Sequence, residues 1–149
     1  MSGCRCIALD IGEVRIGIAT SDLTGAIASP RVVLPADEVR NLGKRFRKIL
    51  MDHEPEILVV GLPRTLAGEE GPQAQRVRAE AERIAQKTGL ELVFVDERLS
   101  SSEAKRILRA QGRGEKEMRG MVDMVAASLF LQTYLDERHR ENDTGGHRG

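Results

Sequence analysis

The chain has 149 residues, enough for one ordinary domain, and a folded chain of this size hides roughly 70% of the surface that its unfolded form exposes. Its 23 basic and 23 acidic residues cancel, which excludes bulk electrostatic attraction to nucleic acid, so such a partner must be bound by a local patch. No run reaches the roughly 20 apolar residues of a membrane helix, and the N-terminal MSGCRC lacks the apolar region of a secretory signal, so we expect a cytoplasmic protein with no membrane partner.

Three strands are predicted at the start of the chain. CIALD and RIGIATS form two strands joined by the turn IGEV, and AIASPRVVL forms a third, in which Pro30 indicates an edge or a bulge. One helix is predicted over PADEVRNLGKRFRKILMDHE, where Val39, Leu42 and Phe46 recur at helical spacing. The almost wholly apolar EILVVGLP that follows is typical of a strand covered on both faces.

The second half alternates helices with one further strand. A helix over PQAQRVRAEAERIAQKTG ends at Gly89, LELVFVD is a strand, SSEAKRILRAQG is a short helix, RGEKEM is a polar link, and MRGMVDMVAASLFLQTYLDER is the final helix. The order βββαβαβα, with an extra short helix before the last, predicts an α/β fold: a mixed five-stranded sheet flanked by helices. We expect one domain over residues 1–138 and a disordered tail, without apolar residues, over 139–149.

Carboxylates end two of the predicted strands. Asp10 ends the first strand, which we expect to be central, and open α/β sheets form ligand crevices at such ends, although Asp is also a common turn residue. Asp96 and Glu97 end the strand LELVFVD. If that strand lies two places from the first, about 10 Å separates the backbones, a gap that two side chains and a metal ion can fill. A helix N-cap box at residues 100–103 is the alternative explanation, and both can hold.

A third acid, Asp123, interrupts an otherwise apolar helical segment. It shares a helix face with Ala126, Ala127 and Phe130, so it is expected on or beside a buried face. A metal cation, or an ion pair with Arg119 one turn earlier, would keep this carboxylate charged. Three converging carboxylates suit Mg²⁺ or Mn²⁺, and two such ions could activate a water and stabilise the leaving oxygen of a phosphodiester.

Four motifs in order resemble those of a known family. LDIGEVRIGIATSD, VVGLPRTLAGEEGPQAQRV, VDERLSS and VDMVAASLFLQTYLD are similar to the motifs of the YqgF (RuvX) family, relatives of the RuvC Holliday junction resolvases with a ribonuclease H-like fold. The resemblance implies a metal-dependent nuclease in which Asp10, Glu97 and Asp123 are the catalytic and metal-binding acids. It implies action on the 5′ end of the small-subunit (16S) ribosomal RNA precursor, with a pre-ribosomal particle as a partner, or on branched DNA as a junction resolvase.

Two positions depart from the family pattern. The family usually has a basic residue where Val14 stands, although Arg15 matches. RuvC-type resolvases tend to carry a second acid on the last helix, whereas Ala126 stands three residues after Asp123. We therefore expect one phosphate contact fewer, and a thinner metal shell completed by backbone groups or water.

Basic residues near the predicted site are candidate substrate contacts. Residues 40–48 hold five basic residues and no acids, which a solvated helix face would explain equally well. Residues 105–119 carry six basic residues against two glutamates, and QGRGEKEM within them is predicted to form a mobile basic flap. The predicted substrate-binding residues are Arg15, Arg64, Arg98, Lys105, Arg109, Arg113, Lys116 and Arg119.

Two other function classes stay open at this point. DIGEVRIGIATSD also resembles the first phosphate motif of actin-like sugar kinases, but those proteins need two such domains and this chain has room for one. A noncatalytic RNA-binding or ribosome-assembly module could keep both the fold and the acids. A monomer or weak homodimer is expected, and cutting a four-way junction would require two active sites.

Overall fold

The computed structural model describes residues 4–64, 67–98 and 100–146, with side chains as far as residue 141. The five strands are β1 Cys6–Ile11, β2 Arg15–Ser21, β3 Ala28–Pro35, β4 Ile57–Leu62 and β5 Glu91–Asp96. They form one sheet in the order β3-β2-β1-β4-β5, in which β1, β2 and β3 pair antiparallel and β1, β4 and β5 pair parallel. The predicted mixed five-stranded sheet is confirmed, with β1 central and β5 two places away.

Helices cover both faces of the sheet. Side chains alternate along β1, so Ile7 and Leu9 enter the core formed with the first three helices, while Cys6 and Ala8 pack against the last helix. Asp10 continues the second row and therefore lies on the face that the last helix covers. The helices are α1 Ala36–Arg40, α2 Lys44–His53, α3 Pro72–Thr88, α4 Ser100–Ala110 and α5 Glu115–Gly146.

The single helix predicted over residues 35–54 is wrong, because the chain turns between α1 and α2. Leu42 has a φ of 49°, and the backbone N–H of Gly43 donates to the carbonyl of Glu38 at 2.7 Å. The turn lets Val39 and Phe46, both fully buried, enter the same core from two short helices. Tertiary burial outweighs the local helical periodicity here.

The edge strand β3 contains the irregularity that Pro30 indicated. Ile18 of β2 pairs with Val32, but the next residue, Ala19, pairs with Pro30, so one extra residue lies in β3. Proline cannot donate to a ladder, and an edge position beside a bulge removes that need. Both parts of the prediction, edge and bulge, are confirmed.

The helical hairpin of α4 and α5 differs from the prediction at both ends of α5. The polar link is shorter than predicted, since only residues 111–114 join the helices, and Gly112 makes the turn with a φ of 79°. The backbone of α5 is helical to Gly146, beyond residue 138, where the final helix was predicted to end. Residues 147–149 lie outside the described residues, and the division into a domain over residues 1–138 and a tail over 139–149 stays a prediction. Within the described ranges, no helix combines the length and apolarity needed to cross a membrane.

Candidate active site

Asp10 stands at the C-terminal end of the central strand, as predicted. It pairs in register with Gly17 of the neighbouring strand, on the sheet face that α5 covers. Because cross-strand partners point to the same face, the missing side chain of Gly17 leaves space beside the Asp10 carboxyl group. The sequence therefore places an acid in a gap between the sheet and α5.

Glu97 reaches Asp10 from the end of β5. Its backbone N–H donates to the carbonyl of Leu62 at 3.2 Å, and its carboxyl group forms a hydrogen bond with that of Asp10. Gly61 makes room for this approach, since a Cβ there would lie 2.9 Å from both Cβ and Oε2 of Glu97. Of the two neighbouring acids predicted at this strand end, Glu97 is the one that faces Asp10.

Asp96 has a different partner. Its carboxylate accepts hydrogen bonds from the backbone N–H and the Nε of Arg98, at 2.9 and 2.8 Å. These bonds, with the positive charges of Arg98 and Arg64, hold the pKa of Asp96 below its usual range despite the opposing effect of burial. Asp96 thus stabilises the turn after β5 and orients Arg98.

Asp123 enters the site from α5. A Cβ on Gly17 would lie 2.2 Å from the carbonyl carbon of Asp123, so the helix backbone rests directly on the glycine of the sheet. The carboxylate forms an ion pair with Arg15, with 3.6 Å between Nε and Oδ2. The alternative partner considered from the sequence, Arg119, makes no ion pair with it in the described part of the chain. Arg15 and Asp123 come from opposite ends of the chain.

Burial raises the pKa values of all three carboxyl groups, and repulsion between carboxylates adds to the rise at Glu97 and Asp10. Burial raises the pKa of Glu97 to about 9, with further contributions from the charges of Asp10 and Asp123. Burial also raises the pKa of Asp10 to about 6, and the hydrogen bond from Glu97 partly opposes that rise. The pKa of Asp123 is raised by burial and held back by Arg15. Without a cation, Glu97 therefore keeps a proton at neutral pH and donates it in a hydrogen bond to Asp10.

We expect the metal-free protein to lose stability as pH rises. Glu97 ionises near 4.5 in the unfolded chain and at about 9 in the folded one, so folding retains a proton that the unfolded chain has released. The free energy of unfolding should fall between these two pH values. Urea denaturation in EDTA at several pH values measures the effect. Glu97→Gln is the control, and the same pH slope in this variant and the wild type would contradict the prediction.

The three acids offer oxygen donors to a hard cation. Among the residues that the structure describes, no group of three or more His, Cys, Asp or Glu side chains is arranged to hold a metal ion, and Asp123 is paired with Arg15. The donor chemistry nevertheless fits a divalent cation, because two carboxyl groups in contact must bind either a proton or a positive charge. Metal binding by these residues stays a prediction.

The predicted substrate-binding residues fall into two groups around the acids. Arg15, Arg64 and Arg98 lie near the strand ends, where Arg15 pairs with Asp123, Arg64 donates to the carbonyl of Gly68 at 3.5 Å and Arg98 binds Asp96. Val14, where the family usually has a basic residue, is exposed beside Arg15.

The second group lies on the helical hairpin. Three members line a cleft of about 130 Å³ between α4 and α5, whereas Arg113 forms an ion pair with Glu117 at 2.8 Å and Lys116 is exposed. The lining residues of this α4–α5 cleft are Lys105, Arg109, Glu115, Met118, Arg119 and Val122.

Sequence reasoning missed the two glycines that bring the acids together. Gly17 and Gly61 lie within strands, where glycine weakens the sheet and often marks a close approach of another segment. That signal was available in RIGIATS and VVGLP, but it does not identify which segment approaches. Here it is Asp123 at Gly17, and Glu97 with Phe130 at Gly61.

Known proteins share this sequence and this fold. Residues 4–137 match the family model described as "RuvX: Holliday junction resolvase". The chain belongs to the RuvX family. A relative from Fusobacterium nucleatum, named "Putative pre-16S rRNA nuclease", is 46% identical over 134 residues, covering 89% of this chain and 96% of the relative. A RuvX relative of the same name from Acaryochloris marina is 41% identical over 138 residues, covering 93% and 96%.

Solved structures extend the likeness beyond the RuvX family. Thermus thermophilus RuvC in complex with a Holliday junction substrate has a TM-score of 0.55 at 14% identity, covering 92% of this chain and 96% of that one. The Fowlpox virus resolvase in complex with Holliday junction DNA has a TM-score of 0.52 at 10% identity, covering 89% and 97%. These likenesses confirm the ribonuclease H-like fold that the sequence motifs implied.

Proposed function

We propose that this RuvX chain is a metal-dependent endonuclease that hydrolyses phosphodiester bonds of structured nucleic acid. The observation that carries the proposal is the convergence of Asp10, Glu97 and Asp123 in one crevice, where burial raises the pKa of each and repulsion adds to the rise at Asp10 and Glu97. Purely structural carboxylates are normally paired with cations, whereas two of these three are in contact with each other. The substrate proposed is the 5′ end of the 16S ribosomal RNA precursor, which the names of the relatives support.

The proposed roles follow from the positions of the side chains. Asp10, Glu97 and Asp123 would hold Mg²⁺ or Mn²⁺, which when bound would activate a water and stabilise the leaving oxygen in a two-metal type of hydrolysis. Glu97 releases its proton when positive charge replaces it. Arg15, next to Asp123, balances that carboxylate and presents a guanidinium group to a phosphate at the site.

The remaining parts of the proposal concern the setting of the reaction. A ribosomal RNA precursor places the protein in the cytoplasm, in contact with a pre-ribosomal particle. A monomer or a weak homodimer is sufficient, because cleavage at one end of one strand needs a single set of acids.

Resolution of Holliday junctions is the second candidate function. The description of the family model favours it. Symmetrical cutting of a four-way junction needs two active sites, so this function would require a dimer. A noncatalytic role in ribosome assembly is the third outcome that the experiment must separate.

The experiment compares two substrates under identical conditions. Purified protein is incubated with a 5′-extended 16S precursor fragment or with a four-way DNA junction, in Mg²⁺, Mn²⁺ or EDTA. We expect cleavage of the RNA that needs the metal and disappears in Glu97→Gln. Preferential cutting of the junction would favour the resolvase. Metal-dependent cleavage of neither substrate, with RNA binding retained, would contradict a nuclease and favour the assembly role.

A further inference from the structure

The α4–α5 cleft combines an apolar floor with a cationic rim. Met118 is 4% exposed and Val122 is half-buried, and both pack in the interface between the two helices. Lys105, Arg109 and Arg119 are exposed around them. A site of this composition suits a ligand with one flat apolar part and one negative part.

Three of the six cations in residues 105–119 line the cleft. Of the other three, Arg106 and Arg113 form ion pairs with Glu103 and Glu117, and Lys116 is exposed. In contrast, the three cations of the cleft form no ion pair with any residue that the structure describes, and Glu115 is the single carboxylate among the lining residues. The zero net charge of the chain therefore conceals a local excess that can neutralise a phosphate.

The cleft lies next to the candidate active site. Arg119 is four residues before Asp123 on the same helix, which corresponds to about 6 Å along the helix axis, and Val122 directly precedes Asp123. A nucleic-acid strand whose reacting phosphate lies at the three acids would place a neighbouring nucleotide at the cleft.

We propose that the α4–α5 cleft binds one unpaired nucleotide next to the bond that is cut. Its base packs on Met118 and Val122, and its phosphate lies among Lys105, Arg109 and Arg119. The proposal rests on the proposed function for the position of that bond. A base inside a continuous duplex is stacked and paired, so it must leave the stack to enter a side-chain pocket. The substrate class is therefore nucleic acid with a single-stranded segment at the cleavage point, such as a 5′ extension beside a helix, rather than a fully paired junction.

The proposed phosphate contacts are tested by measuring RNA binding in EDTA. The probes are an RNA hairpin with a 5′ single-stranded extension and the same hairpin with a blunt end. Lys105→Gln/Arg109→Gln should weaken binding of the extended probe about tenfold or more, and should reduce the slope of log affinity against log salt by about 1.4, because two contacts to single-stranded phosphates are lost. Binding of the blunt probe should change little.

Arg106→Gln/Arg78→Gln is the matched control. It removes the same charge, once from α4 and once from α3, but from side chains already paired with Glu103 and Glu70. We expect it to leave binding of both probes nearly unchanged. Equal losses in the two double variants, or equal losses for the two probes, would overturn the proposal in favour of general electrostatic attraction.

The proposed contact with the base is tested by filling the cleft with a larger apolar side chain, which leaves its charge unchanged. Val122→Phe should weaken binding of the extended probe severalfold, and should have little effect on an extension of abasic nucleotides that keeps the phosphates. Equal effects on the two extensions would overturn the proposal. Binding in EDTA is independent of cleavage, so the two proposals can fail separately. Absence of nuclease activity, with selective binding of the extended probe retained, would contradict only the proposed function. Loss of that selectivity, with cleavage retained, would contradict only nucleotide binding in the cleft.

Discussion

Asp10→Asn, Glu97→Gln and Asp123→Asn should each lower metal-dependent cleavage by at least about a hundredfold while the protein remains folded. Each substitution removes one charged oxygen ligand from the crevice and preserves the shape of the side chain. The loss should appear in the rate of the chemical step, measured by single-turnover cleavage with saturating protein. Circular dichroism and urea denaturation would show that the fold persists.

The neighbouring acid provides the control for this result. Asp96→Asn changes the same kind of side chain one residue from Glu97, but Asp96 binds Arg98 instead of facing Asp10. We expect a small effect on the chemical step. Full nuclease activity in any two of the three site variants would contradict the mechanism, and so would a loss in Asp96→Asn as large as theirs.

Asp10→Asn should also differ in stability from the wild type when metal is absent. Asp10→Asn removes one of the charges that raise the pKa of Glu97, so it should relieve repulsion and stabilise the metal-free protein at high pH. Added Mg²⁺ or Mn²⁺ should stabilise the wild type more than the variant, because the ion binds only the complete site in the folded state. If added metal raised the free energy of unfolding equally in the two proteins, that result would contradict metal binding at Asp10.

Gly17→Ala is expected to damage both stability and activity. The added Cβ would lie 2.2 to 2.5 Å from backbone atoms of Asp123 and Met124, which cannot move aside as a flexible side-chain end can. The helix α5 must shift away from the sheet, and overpacking of this kind typically costs about 1–3 kcal/mol, with the upper end expected for a backbone contact. The shift also carries Asp123 away from Asp10 and Arg15. Urea denaturation and single-turnover cleavage below the melting temperature measure the two effects separately.

Gly120→Ala is the matched control for this substitution. Gly120 lies in α5 itself, and a Cβ there would meet nothing within 4 Å. Because glycine is unfavourable within a helix, we expect this variant to be more stable than the wild type by up to about 1 kcal/mol and to keep its activity. A Gly17→Ala protein as stable and active as the wild type would show that α5 does not rest on the sheet at this point.

Much of the fold and the positions of the three acids could be predicted because they depend on local patterns and on family motifs. Apolar runs of strand length and their spacing predicted the mixed sheet, and the position of Asp10 after such a run placed it at a sheet end. The prediction of one helix over residues 35–54 was wrong because the apolar periodicity continues through the turn between α1 and α2. Only the shared burial of Val39 and Phe46 in one core explains that turn. Asp123 was predicted on a partly buried face, but its partner was not.

By itself, the sequence determined which side chains lie at strand ends, which faces of the elements are apolar and which family motifs occur in order. Only the tertiary structure decided that Asp96 binds Arg98, that Asp123 pairs with Arg15, and that three of the hairpin cations line one cleft while two are neutralised. The physical reason is that periodicity along a chain encodes the direction of a side chain within its own element. The distance between two elements depends on how closely they pack, and here the absence of a side chain at Gly17 and Gly61 sets that distance.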